Sequence, residues 1–287
     1  MVVVKLNSDA YYLAIVLLAG GQSARYKGNK LLSKHPSSKV PLIEHSIREL
    51  TKVCEQLNVA NGFAPYEGAE PEASGQSFSR KLINVVTGKW HESIEHRLSN
   101  LPVSIVHNTS WKEGIASSIR SGLLHVLNLP SPTLQAPQTR LYNKADRISG
   151  NSASSFERSV NHEKRECNQK NNAQLNPLPS HVLFTLADLP RLNAQDLARL
   201  INASKENPNN IVCCEWGVEG KTSNRLTVPA VFPNVMFNEL LALKGDTGAK
   251  AVIKNFAKAG KVTTVSIPNA QFDIDTPQDW ACVDKTQ

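Results

Sequence analysis

No two cysteines of this chain stand at C-x-x-C spacing: there are five, and the closest two, Cys213 and Cys214, are adjacent. That usage fits buried thiols in a reducing compartment better than a disulfide framework. The eight histidines are scattered without metal-ligand spacing, so His45 and His107 read as surface or packing residues. No apolar run reaches membrane-spanning length. Lys5 followed by Ala10 to Gly20 loosely imitates a signal peptide. Asp9, and the continuation of that run into a glycine loop, argue against removal, so the expectation is a cytoplasmic protein with no membrane partner. Basic residues interleaved with aromatics are also missing. The net charge of +7 therefore does not point to nucleic acid, the more so because residues 131–180 alone hold seven Lys/Arg against four Asp/Glu. Two common nucleotide-binding patterns, the P-loop and G-x-G-x-x-G, are absent.

What is present begins at Ala14–Leu32, AIVLLAGGQSARYKGNKLL. Ile15, Val16, Leu17 and Leu18 form an apolar run with no polar face, as in a parallel strand covered on both sides. Such a strand delivers the chain to the ligand-binding edge of its sheet. Ala19, Gly20 and Gly21 allow a sharp turn and a close approach of backbone N–H groups to an anion. Arg25 and Lys30 can neutralise phosphate charge, although a purely structural turn is the other reading.

Three later segments carry chemistry. In NTSWKEGIASSIRSGL, from Asn108, Gly114 ends a loop and Ser117 and Ser118 fall in the first turn of a helix, where N–H groups and hydroxyls can hold a base, ribose or phosphate. An ordinary amphipathic helix with Ile115, Ile119 and Leu123 inward explains the same residues. In VLFTLADLPRL, from Val182, an apolar strand run ends just before Asp188. A carboxylate there faces the same crevice as the first loop, and Mg²⁺ favours one or two carboxylates plus phosphate oxygens; a turn or cap before Pro190 is the alternative. In FDIDTPQDW, from Phe272, Thr276 and Pro277 read as a helix N-cap and first helical residue, and Asp279 as a first-turn acid. Asp273 has no assigned role. Gly245–Ala249 reads locally as a loop-to-helix turn capped by Asp246 or Thr247.

Taken in order, these segments resemble the signatures of the MobA/MocA-type nucleotidyltransferases. Leu18, Ala19, Gly20, Gly21, Ser23, Arg25, Lys30, Leu31 and Leu32 match the first motif, with Lys27 standing where the family usually has Gly. The resemblance implies that this loop binds the nucleotide together with Ser117 and Ser118. It further implies that Arg25, Lys30 and Asp188 are catalytic, that Asp188 and Asp275 bind Mg²⁺, and that Gly245, Asp246 and Gly248 contact the acceptor. The G-D-x-G-A element points to the molybdopterin-specific branch, while the family's G-H-P reads Thr227, Val228, Pro229. The implied reaction is transfer of a nucleotidyl group from a nucleoside triphosphate, CTP or GTP with CTP favoured, to the phosphate of molybdopterin, with pyrophosphate released. A molybdoenzyme or its chaperone would be a partner. Two alternatives stay open: another phosphorylated acceptor, or a weakly catalytic protein that binds and delivers cofactor.

The implied architecture is a single three-layer, Rossmann-like α/β domain over residues 1–287 with a mainly parallel, partly mixed sheet. Strands are expected near 13–18, 83–87, 103–107, 182–186, 210–214 and 263–267, with helices near 42–57, 117–127, 194–202 and 235–243. Residues 61–80 and 131–180, poor in aliphatics, read as flexible insertions.

Overall fold

Apolar runs with no polar face become the centre of a sheet. In the computed structural model, which describes residues 11–57, 82–127, 178–217 and 225–283, β1 (Leu13–Ala19) is buried at every position except Ala14. It pairs in parallel with β2 (Ile83–Thr87) and β4 (His181–Leu186), and β2 pairs in parallel with β3 (Val103–His107). Beyond β4 the sheet changes direction. β6 (Arg225–Pro233) runs antiparallel to both β4 and β5 (Ile211–Trp216), and β7 (Val262–Ser266) is parallel to β5. The order of the seven described strands is β3-β2-β1-β4-β6-β5-β7, mainly parallel and mixed at one end as expected.

The alternation along β1 sorts two cores. Ile15 and Leu17 face one side, packed with Leu42, Ile43, Ile47 and Leu50 of α1 (Leu42–Gln56), Ile94 and Leu98 of α2 (His91–Leu98), and Leu197, Leu200 and Ile201 of α4 (Ala194–Glu206). Val16 and Leu18 face the other side. There they meet Ile119 and Leu123 of α3 (Ile115–Val126), Phe237 and Leu240 of α5 (Phe237–Leu241), and Val252 and Ile253 of α6 (Ala249–Lys258). Each fully buried Leu or Ile contributes about 2 kcal/mol. α3 lies so close to the sheet that a Cβ on Gly122 would stand 2.5 Å from Val16 Cγ1. A last short helix, α7 (Trp280–Val283), ends the described chain.

Several expectations need correction. β6 goes unforeseen because Pro229 interrupts its run, and proline withholds a ladder N–H. The sheet accommodates it: the pairing of β4 with β6 ends at Ala230, and the register against β5 shifts between Cys213 and Cys214, so Pro229 falls where no regular partner is needed. α2 is likewise outside the expected helices, and α6 is the helix into which the loop-to-helix turn at Gly245–Ala249 leads. The expected helix near 235–243 is a 3₁₀ turn over Asn234–Met236 followed by the short α5. Ile115, expected inward, is exposed at 36%, and α3 begins at this residue, two before Ser117. Gly248, not Asp246 or Thr247, is the N-cap of α6.

All described residues belong to one compact unit that takes chain from both sides of 132–176. The insertions expected at 61–80 and 131–180 lie outside the described residues, save 178–180. Among the described residues no helix is long and apolar enough to cross a membrane. Cys54, Cys213 and Cys214 are buried free thiols as expected, whereas Cys282 is exposed.

Candidate active site

The neighbouring parallel strands β1 and β4 end side by side, and the loops that follow them, joined by Asp275 from the segment after β7, line a cavity of about 230 Å³ whose residues include Leu18, Ala19, Gly21, Ser23, Arg25, Lys30 and Asp188. Two expected groups of site residues, from the first loop and from the acidic segments, therefore converge.

Lys30 is the centre of the cluster. It sits at the start of a 3₁₀ turn (Lys30–Leu32) capped by Asn29, whose Oδ1 accepts from Leu31 N at 3.1 Å. From there its ammonium donates to Asp188 Oδ2 at 2.7 Å and to the carbonyl of Ile274, and lies 3.6 Å from Asp275 Oδ1. Arg25, on the more exposed side, pairs with Asp275 Oδ2 at 2.6 Å. Backbone geometry locks the two acidic segments together, since Ile274 N donates to the Asp188 carbonyl at 3.0 Å. Asp188 is thus not the cap of a turn; its carboxylate faces the lysine.

The third carboxyl, Asp273, is pushed above its ordinary pKa, first by burial and then by Asp188 and Asp275, with Lys30 opposing. Asp279 is no part of this cluster. Its Oδ2 accepts from the N–H groups of Asp275 and Thr276, at 2.8 and 2.7 Å, within a capping box that begins at Thr276 with Pro277 following. That is the first-turn role expected of it, and it also fixes the backbone that carries Asp275.

The donor set fits a hard divalent cation. Asp188 Oδ1 is buried with no hydrogen-bond partner, and Lys30 engages only the other oxygen. Among the described residues no three His, Cys, Asp or Glu side chains gather into a protein cage. Mg²⁺ needs none, because it is held by one or two carboxylates together with substrate phosphates.

The glycine loop is shaped by contact. A Cβ on Gly20 would stand 2.7 Å from Ser118 Oγ, and one on Gly88, just past β2, 2.4 Å from the Gly20 carbonyl. Gly21 has nothing within 4 Å. The first loop then turns through left-handed residues at Ser23 (φ +53°) and Lys27 (φ +57°). Lys27, at the position where the sequence motif has Gly, takes the backbone conformation that glycine accepts most readily.

Ser117 and Ser118 stand in the first turn of α3 as expected, but much of their bonding is internal. Asn108 Nδ2 donates to both hydroxyls, at 2.8 and 3.0 Å, and Ser117 Oγ reaches the carbonyls of Ser110 and Gly114. The expectation that both hydroxyls face a ligand therefore weakens for Ser117, while Ser118 abuts Gly20. Sequence reasoning assigned no role to Asn108, which organises both; the available signal is an Asn placed directly after a strand and two residues before a Ser, an Asx-turn pattern realised by Ser110 N donating to its Oδ1 at 3.0 Å. Gly245 and Asp246 pack on the same helix start: Ala116 N donates to the Gly245 carbonyl at 3.1 Å, and a Cβ on Gly114 (φ +116°) would meet Asp246 Oδ1 at 2.3 Å. Gly248, in turn, lies beside Ile115. His45 and His107 are packing residues, stacked on His35 at 4.0 Å and on His91 at 3.9 Å respectively.

Solved structures share this fold at low identity. The nucleotidyl transferase Mth528 of Methanothermobacter superposes with a TM-score of 0.57 at 12% identity, covering 96% of each chain. Rv0371c of Mycobacterium tuberculosis H37Rv gives 0.52 at 16%, over 97% of this chain and 100% of that one. The 4-diphosphocytidyl-2C-methyl-D-erythritol synthase of Anaerococcus prevotii gives 0.55 at 12%, over 95% and 94%. No curated protein matches the sequence significantly. The model of the MobA-like NTP transferase domain matches residues 15–262, from the strand that launches the glycine loop to the start of the last strand. By that match the chain belongs to the MobA-like NTP transferase family, and it is a nucleotidyltransferase.

Proposed function

We propose that the protein transfers a nucleoside monophosphate, from CTP in preference to GTP, to the phosphate of a molybdopterin-type acceptor and releases pyrophosphate, in the cytoplasm. The observation that carries the transfer chemistry is Lys30 held between Asp188 and Asp275 at the carboxyl edge of β1 and β4. Arg25 and Lys30 bind and orient the triphosphate on the glycine loop. A phosphate monoester is already a competent nucleophile near neutral pH, so no covalent protein intermediate is required. An acceptor oxygen bonds to the α-phosphorus as the bond to pyrophosphate breaks. Positioning and charge neutralisation supply the acceleration. Mg²⁺, when held by Asp188 and Asp275, supplies additional positive charge at the phosphate oxygens.

The acceptor assignment rests on the G-D-x-G-A element, and the packing of Gly245 and Asp246 against the start of α3 supports it, because that helix also carries Ser118 beside Gly20. One observation favours a second reading, another phosphorylated acceptor. At the G-H-P position the chain has Val228, and this side chain packs against the apolar core of α3, α5 and α6, where no imidazole is offered to a substrate. Pyrophosphate release from CTP and from GTP, each with Mg²⁺ and with or without molybdopterin, tests the proposal. Acceptor-dependent release with one nucleotide supports it and names the base. Release only with a different phosphorylated acceptor selects the second reading, and no release with any acceptor rejects both.

A further inference from the structure

The first loop holds a cation that the proposed chemistry has not used. Lys27 closes the 3₁₀ turn Ala24–Tyr26 with φ +57° and ψ +31°, whereas the neighbouring Gly28 does not take a positive φ. A lysine in left-handed conformation is strained where glycine would not be. The loop around it is well tied: Tyr26 N donates to the Ser23 carbonyl at 3.1 Å, and Tyr26 Oη accepts from Trp280 Nε1 at 2.8 Å and pairs with Ser33 Oγ at 2.7 Å. The strain is therefore imposed by a braced turn, and the side chain it presents is exposed, with no ion pair or hydrogen bond among the described residues.

Charge gives that side chain a purpose. The charged groups lining the cavity are Arg25, Lys30, Asp188 and Asp275, and the two cations are bound to the two carboxylates. A nucleoside triphosphate adds several negative charges to a site whose own charges already cancel. Lys27 is exposed and stands two residues beyond Arg25, the more exposed of the two cavity cations, whereas Lys30 is buried.

We propose that Lys27 is a further triphosphate-binding residue, taking the outer, pyrophosphate end of the nucleotide. This deepens the proposed function and rests on it. The backbone strain is retained because the ammonium binds substrate; a structural role alone would be served better by glycine.

The test is the binding of CTP, GTP and the two monophosphates, with Mg²⁺, to the wild type and to Lys27→Gly, Lys27→Gln and Lys27→Arg, with thermal unfolding of each. Loss of one charge-assisted contact predicts about tenfold weaker triphosphate binding in the Gly and Gln variants. Monophosphate affinity stays within about twofold, Lys27→Arg retains triphosphate binding, and Lys27→Gly melts at or above the wild-type temperature. The difference narrows at high salt. Triphosphate affinity unchanged in both neutral variants, or an equal loss for the monophosphates, overturns the role of Lys27 alone. A wild type that binds triphosphates no better than monophosphates overturns the functional proposal and this inference with it.

Discussion

The Lys30 ammonium bonds Asp188 at 2.7 Å across 158 residues of sequence, and the same nitrogen lies 3.6 Å from Asp275. One cation thereby holds two carboxylates of like charge at the mouth of the sheet, with a third, Asp273, close enough for both to disfavour its ionisation. Removing any member changes the charge balance as well as a contact.

Asp188→Asn preserves shape and removes charge. Mg²⁺-dependent pyrophosphate release is expected to fall by about 100-fold or more, comparable with the loss of one electrostatic stabiliser of a transition state. The melting temperature stays within about 3 °C of the wild type. Turnover within tenfold of the wild type would reject the assignment.

Lys30→Met leaves Asp188, Asp273 and Asp275 without their common cation. Stability at pH 7 should drop by about 2–3 kcal/mol. A carboxyl whose pKa in the folded protein lies above its unfolded value takes up its proton earlier in the folded state, so stability is regained as pH falls. Urea unfolding at pH 7 and pH 5 checks this: the variant's deficit should shrink at the lower pH, and an equal deficit at both counts against a charge origin.

Gly88→Ala and Gly21→Ala form a matched pair. At Gly88 the new methyl would meet the Gly20 carbonyl at 2.4 Å and Trp111 Cβ at 2.8 Å, neither of which is the end of a flexible chain. A cost of about 1–3 kcal/mol is expected, together with displacement of the glycine loop. At Gly21 the space is open and thermal unfolding should change little.

His45 gives a pH dependence outside the site. Burial, and then the stacked His35, push its pKa down to about 4 from 6.5. Above pH 6.5 the ring is neutral in both states. Between 6.5 and 4 the unfolded chain takes up the proton and the folded protein does not, so stability falls as pH falls through this window. Because the ring is only partly buried, the loss is on the order of 1–2 kcal/mol. His45→Gln should flatten that part of the unfolding profile; an unchanged slope would assign it elsewhere.

Much of the fold was readable from local pattern. The continuous apolar run of β1 and the bounded runs at Ile83–Thr87 and Val103–His107 appear as strands at those residues. The α1 pattern at Leu42, Ile43, Ile47, Leu50 and Val53 needs only a helical period to be seen. α2 was missed because just Ile94 and Leu98 face the core, too few for a stripe. β6 was missed because proline argues locally against a strand that a register shift elsewhere makes tolerable.

The sequence by itself determined the types of residue at the end of each strand: small residues and two cations after β1, a carboxylate after β4, and a capping sequence after Asp275. These depend on short-range sterics and periodicity, which neighbouring residues specify. Only the tertiary structure decided that Lys30 would turn to Asp188 and Ile274, that Asn108 would bond both serines, and that Asp246 would pack on Gly114. Such partnerships follow from strand order and from the cost of burying an unpaired polar group, and both are properties of the assembled sheet.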